Sequence, residues 1–491
     1  MRITILRSLF TVAALISFSV SAAADGDTER LIAAMLADTP VIDDLHELTD
    51  TIGGRVTGSD ENRRAVAWAA AKLRQAEVAV MTEDFEMPYE WQENVVYASV
   101  SGDFEFDVSV IAKPFSTSAN ALNAPLIDAG SGSEEDFVRL GDTAAGAWII
   151  VETPVLNDEI GLAGLFAEYS DAAVIEPQAF AAGVAGVVFM SSRPKNLVAR
   201  HNAALGGKNE TPLLVMEREH AERLMRLLRA GHDLSLTVTI DVEDGHSYSA
   251  TNVIGEIRGS THPEEIVLFG AHLDSFALGT GALDNGANVV MLMDIARQIS
   301  RLGLQPARTI RFAFWNGEEQ NLVGSWKYTK QHEAELDNHI VAASFDIGSG
   351  RTIGFFTGGR PALVPLVDKY LAPVAGLGPF QQIDIPLVGT DNFDFMIEGV
   401  PNLIANQADA NYASNYHAES DTFDKVDQQQ LKLNSAITAA VIWGFANDTE
   451  RLPRQTHDEI QALIDSTDLE QQMKNFAVWD GWPEGTRGRH E

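Results

Sequence analysis

The sequence predicts an α/β fold built on a mixed, mostly parallel sheet, and three observations carry that expectation. Strand-like and helix-like stretches alternate over the second half of the 491 residues. Several strand stretches are continuously apolar, as strands buried on both faces must be. Those runs also stop abruptly at His, Asp or Glu: IVLFGAHLDS (Ile266–Ser275), RFAFWNGEEQ (Arg311–Gln320) and AASFDIGSG (Ala342–Gly350). In such sheets the carboxyl ends of the strands are where functional groups gather.

The elements follow in order. Arg2 and Arg7, the apolar run Leu9–Val20 and the small residues Ser21 to Ala24 read as a cleavable export signal over residues 1–24. The apolar run is short of the roughly 20 residues a retained anchor needs. The mature protein is therefore expected in the periplasm or secreted, with no stable membrane insertion. Thr28–Leu48 reads as a helix interrupted at Pro40. In IGGRVTGSDENRRAVAWAAAKLRQ (Ile52–Gln75) the glycines make a turn, and Ser59 is placed to cap a helix running to Gln75. VVYASV (Val95–Val100) and FDVSVIA (Phe106–Ala112) follow as strands. From 114 to 245 the texture changes to short strands (GAWIIVETP, AAGVAGVVFMSS, TPLLVM, LSLTVTIDV) between Ala/Gly-rich stretches and the amphipathic Glu217–Leu228. His201, His220 and His232 lie scattered there as surface histidines. We read 114–245 as a module inserted between catalytic segments 25–113 and 246–491. In the latter, Asn285–Leu302, Ser325–His332 and Asn434–Ala446 read as helices. Thr309–Trp315, His339–Phe345, Ile353–Phe356, Ile383–Leu387 and Val400–Ala405 read as strands. The tail Arg454–Glu491 is left as a docked helix, a lid or a dimer arm.

Composition narrows the chemistry. With no cysteine, a metal must be held by His, Asp and Glu. A formal charge of −35 excludes the basic surface that nucleic-acid binding requires; it reads as a solvated acidic exterior that also favours cations.

His272 and Asp274 share a face at a strand end, where the Asp274 carboxylate can accept the imidazole's second N–H and fix its orientation. Asp284 lies in the Gly-rich turn GALDNGANV (Gly281–Val289), where a carboxylate can bridge two ions. Glu318 and Glu319 diverge from one turn, so one can ligate while the other addresses a metal-activated water. Asp346 closes an apolar strand where an unpaired carboxylate would be costly. His417, in NYHAESDTFDKVD (Asn415–Asp427), is the remaining ligand, with Glu419, Asp421 and Asp424 read as solvated or capping groups. His272, Asp284 and Asp346 make one ligand set; Asp284, Glu319 and His417 make a second. The donors suit two Zn²⁺ ions, with manganese or cobalt also possible, and Glu318 is the general acid/base.

These motifs resemble the metallopeptidases of the M28 family. GAHLDS, ALDNGANV, NGEE, SFD and YH stand where that family places its ligands, over Thr251–Val426, and Ile52–Leu73 looks like its usual opening. The resemblance implies a zinc-exopeptidase-like three-layer α/β/α fold, peptide or dipeptide substrates, a cis Asp284–Asn285 peptide, and Tyr416 as a hydrogen-bond donor to the oxyanion. GAWIIVETP and AAGVAGVVFM resemble the protease-associated (PA) domain many members carry. GTDNFDF (Gly389–Phe395) departs, at Thr390 and Asn392, from the S-D-H common in relatives, so no substrate role is carried over to it. The reading leans to an aminopeptidase. A dipeptidase or carboxypeptidase, for which Arg351 and Arg360 are the available cations, is the alternative. Further off are a single-zinc glutaminyl cyclase, a non-catalytic ectodomain on the same fold, and an M20-type amidohydrolase.

Overall fold

The computed structural model describes residues 26–200 and 209–490. The predicted export signal and His201 lie outside them. The architecture is mixed α/β, with one sheet at its centre and a second beside it.

The central sheet has seven strands. In spatial order they are Ala79–Met87, Tyr248–Ile257, Arg308–Trp315, His262–His272, His339–Ser344, Asn402–Gln407 and Thr352–Phe356. Arg308–Trp315, His262–His272, His339–Ser344 and Asn402–Gln407 are mutually parallel; Tyr248–Ile257 and Thr352–Phe356 run against them, and Ala79–Met87 at the edge, antiparallel to Tyr248–Ile257, runs with them again. The continuous apolar runs arise because both faces are covered. Along His262–His272, Val267, Phe269 and Ala271 face one core with the helices Ala287–Arg301 and Gln428–Asn447. Ile266 and Leu268 face the other, with Tyr328 and Phe395 from the helices Val323–Gln331 and Asn392–Ile397. The three layers are therefore helix, sheet, helix. The helix Asp60–Gln75 packs on the first side, its N-terminus capped by Ser59, which accepts from Asn62 N.

Parallel pairing brings the functional ends together. His272 lies opposite Trp315 and Gly270 opposite Ser344. His272, the Glu318–Glu319 turn and Asp346 consequently emerge side by side at one edge of the sheet.

The second sheet has eight strands and spans Trp91 to Asp244. It differs from the expectation at its start. Val95–Val100 and Phe106–Ala112, read as part of the preceding catalytic segment, belong to this sheet. Trp91–Gly102 runs antiparallel to Leu234–Asp244, and Val110–Ala112 pairs with Leu213–Met216. The partners lie more than a hundred residues along the chain, and local periodicity carries no sign of that pairing. A second expected strand, Ile383–Leu387, is not one: only Ile383 bridges, to Phe356, and the chain then runs irregularly over the cavity described below.

The tail is docked. Helices His457–Ser466 and Leu469–Asn475 bury Ile460, Ile464, Leu469 and Met473 against Leu322, Val388, Phe393 and Ile397. Arg487 clamps Asp394 with Nε to Oδ1 at 2.7 Å and Nη2 to Oδ2 at 2.8 Å, both side chains buried. It also donates to the carbonyls of Asn321 and Leu322. Removing one partner of such a pair strands the other charge in the interior, at about 3–5 kcal/mol. Arg487→Met is accordingly expected to lower the unfolding free energy by that amount, read as a lower denaturant midpoint at unchanged slope. An unchanged midpoint would show that the Arg487–Asp394 clamp adds nothing to stability.

Candidate active site

Two groups of buried ligating side chains meet at the carboxyl end of the central sheet. His272, Asp284 and Asp346 form one, and Asp284, Glu319 and His417 the other; within each group the ligating atoms lie within 4.8 Å of one another. His272 Nε2 is 3.1 Å from Asp284 Oδ1 and 3.0 Å from Asp346 Oδ1. His417 Nε2 is 3.2 Å from Asp284 Oδ2 and 3.1 Å from Glu319 Oε2. Asp284 thus presents one oxygen to each group. Its peptide to Asn285 is cis, as the resemblance implies.

Each position has a local cause. Gly281 turns the chain with φ +59°, and a Cβ there would lie 2.4 Å from that of Ser275. Asp421, read from sequence as solvated or capping, is in fact buried. Its carboxylate accepts from the backbone N–H groups of Ala282, Leu283 and Asp284 at 2.7–3.1 Å, holding the loop that presents Asp284. Arg55, fully buried, donates to the carbonyls of Leu273, Thr280 and Gly281 and fixes the same loop from below. These two residues were missed; the one available signal was the IGGRVTG motif, whose Arg55 sits at a turn beside the family-like opening.

Asp274 departs in detail from its expected part. His272 Nδ1 lies 3.0 Å from the Asp274 backbone carbonyl and 3.6 Å from its carboxylate. The carbonyl therefore fixes the imidazole tautomer. The Asp274 carboxylate is engaged instead by the Thr57 hydroxyl at 2.7 Å and by Gly317 N at 3.0 Å, and so ties the N-terminal segment to the turn carrying Glu318.

The donor set fits divalent cations. Acidic groups crowd a buried space in which His272 and His417 are the cationic partners. Burial pushes the Glu318 carboxyl well above its ordinary value; His272 opposes that, and Asp346, Glu319 and Asp391 add to it. Burial likewise raises Asp346 to about 7. Glu319 Oε1 is buried with no hydrogen-bond partner among the described residues. Carboxylates that repel when ionised together are relieved by a cation among them.

Residues 252–442 match the model of peptidase family M28. They form an M28 peptidase domain. The chain is 25% identical to carboxypeptidase Q of Xenopus laevis over 414 residues, covering 82% of this chain and 85% of that protein. It is 24% identical to a probable lipoprotein aminopeptidase of Mycobacterium tuberculosis over 454 residues, covering 84% and 85%. Among solved structures, an M28 peptidase precursor from Shewanella amazonensis superposes with a TM-score of 0.79 at 26% identity, covering 88% of this chain and 99% of that one. This domain is of the M28 metallopeptidase type.

Around this M28 site lies a cavity with three sources of wall. The helix Leu162–Ala181 of the second module contributes Leu162, Leu165, Phe166 and Tyr169; the tail contributes Phe476; the irregular stretch after Ile383 contributes Leu387, Val388, Gly389 and Thr390. Asp284, Glu318, Glu319, Asp346, Tyr416 and His417 form its polar end. Thr390 and Asn392 bond each other, and Asn392 donates onward to Asn402, so the altered motif is knit into the fold. Neither Arg351 nor Arg360 reaches the cavity. Arg351 donates to the Pro379 carbonyl at the surface, and Arg360 to those of Gly399 and Pro453.

Proposed function

We propose that the chain is a two-metal exopeptidase, most simply an aminopeptidase. The observation that carries this is the pair of buried ligand groups sharing Asp284, with Glu318 beside them at the polar end of a largely apolar cavity. His272, Asp284 and Asp346 would hold one ion and Asp284, Glu319 and His417 the other, and imidazole with carboxylate donors suits Zn²⁺. Bound there, the ions supply Lewis acidity to the scissile carbonyl and acidify the attacking water.

The protein's own groups do the rest. Glu318 takes a proton from the water as its oxygen attacks the carbonyl carbon, and returns that proton to the leaving amine as the C–N bond breaks. Burial, the first cause acting on its carboxyl, raises its proton affinity above that of a free glutamate. The Asp274 carbonyl holds His272 in one tautomer. Tyr416 donates its O–H to the oxyanion.

The cavity lining contains neither Lys nor Arg, so no side-chain cation is there to hold a substrate's terminal carboxylate. That favours aminopeptidase action. The likeness to a protein named carboxypeptidase Q keeps dipeptidase or carboxypeptidase action as the second reading. A panel of N-acetylated and C-amidated dipeptides, assayed with and without chelator, separates them. The C-amidated peptides are expected to be cleaved and the N-acetylated ones refused, with all activity lost on chelation. The reverse preference would establish the carboxypeptidase reading, and activity surviving chelation would overturn the metal mechanism.

We also propose that the second module is a PA-like insert, on the strength of GAWIIVETP and AAGVAGVVFM, and that residues 1–24 direct export. No helix among the described residues is long and apolar enough to cross a membrane.

A further inference from the structure

The helix Leu162–Ala181 does more than enclose space. It places Leu162, Leu165, Phe166 and Tyr169 on one face, at the i, i+3, i+4 and i+7 spacing that a single helical side permits. Tyr169 ends that row at the polar end of the cavity. Its hydroxyl lies 2.5 Å from that of Tyr416, across 247 residues of sequence.

Both phenols are held from several sides. Phe476 of the tail packs on the Tyr169 ring with centroids 4.5 Å apart. Tyr416 stacks on His417 at 3.6 Å, meets Tyr412 edge-on at 5.4 Å, and has the buried Arg193 guanidinium 6.0 Å from its ring centre.

Hydrogen counting then constrains what the pair can do. Two phenols carry two O–H groups, and one is used in the bond between them. A single O–H is left for a third partner. If Tyr416 donates to an oxyanion, Tyr169 must be the donor in the Tyr169–Tyr416 bond, which both orients the Tyr416 hydroxyl and polarises it. Without Tyr169, the Tyr416 hydroxyl is free to rotate away, and each encounter must restore its direction.

We propose that Tyr169, supplied by the second module, is a positioning residue that aims the Tyr416 hydroxyl at the developing oxyanion of the hydrolytic reaction. The proposal rests on the metallopeptidase mechanism given above. It makes the module part of the reaction's geometry and not only a cover.

The test is a double-mutant cycle on the full-length metal-loaded enzyme, with kcat and KM measured separately for a good dipeptide substrate. Tyr169→Phe keeps the ring and its packing on Phe476. It is expected to lower kcat about tenfold, the equivalent of one lost oriented hydrogen bond at about 1.4 kcal/mol, and to leave KM within about twofold. Tyr416→Phe is expected to cost more, and Tyr169→Phe/Tyr416→Phe no more than Tyr416→Phe alone. Two results would overturn the proposal: an unchanged kcat in Tyr169→Phe, or a double variant whose loss is the product of the two single losses. A change confined to KM would also overturn it, and would make Tyr169 a wall of the side-chain pocket. Metal content and melting temperature of each variant identify any simple folding defect; were Tyr169→Phe destabilised, Phe476→Leu, which loosens the Tyr169 ring and leaves its hydroxyl, should lower kcat in the same direction and by less, and an unchanged kcat there would equally overturn the proposal. Glu318→Gln assayed alongside separates the two levels. If it loses activity while Tyr169→Phe does not, this inference fails and the mechanism stands; if Glu318→Gln is active, the mechanism itself fails.

Discussion

Glu318→Gln is expected to keep its metal and its fold and to lose turnover by about a thousandfold or more, within the range a general acid/base contributes. The amide is nearly isosteric and can still hydrogen-bond, but it cannot take a proton from water or return one to an amine. Glu318 belongs to neither ligand group, so metal content should match the parent protein. Substrate binding should persist as well, because the apolar walls at Leu165, Phe166 and Phe476 are untouched. A variant within about tenfold of the parent in kcat would transfer the proton step to another group.

Asp284→Ala should abolish activity by a different route. Among the described residues Asp284 alone offers an oxygen to each ligand group, at 3.1 Å from His272 and 3.2 Å from His417. Losing a group that only orients a ligand costs about 10–100-fold in metal affinity; losing the shared ligand should exceed that for both ions together. The loop itself should survive, since Asp421 grips it through backbone N–H groups that the substitution leaves in place. Metal analysis after dialysis against a weak chelator is the check. Asp346→Ala or His417→Ala should each retain one ion where Asp284→Ala retains none. Equal stoichiometry in all three would mean that Asp284 does not bridge.

Legibility followed distance along the chain. His272, Glu318, Glu319 and Asp346 could be found because each follows an apolar strand, and parallel strands put their carboxyl ends at one edge. His417 follows no strand pattern; it was named as the remaining ligand from NYHAESDTFDKVD, and the fold brings it to Asp284 and Glu319. What escaped was what the chain brings from far away. Thr57 reaches Asp274 over 217 residues, Asp421 reaches Asp284 over 137, and Tyr169 reaches Tyr416 over 247. Asp421 reads as a loop acid in a run of acids because nothing local distinguishes a carboxylate that caps water from one that caps three amides. The start of the second sheet was misplaced for the same reason: Val95–Val100 looks like any strand until its partner, Leu234–Asp244, is known. The tail could not be assigned because its apolar face carries no label for the surface it covers.

The docking of that tail bears on the cavity and not on the ligand groups. Phe476 meets Phe166 and Tyr169, and Asn475 donates to Ser170, so the last helices touch the module and the cavity at once. Without Phe476 the two ligand groups would still be in place, but the cavity beside them would lack one wall. Removing Leu469–Asn475 and Phe476 would therefore separate two properties, leaving the ligating side chains assembled and opening the space beside Tyr169.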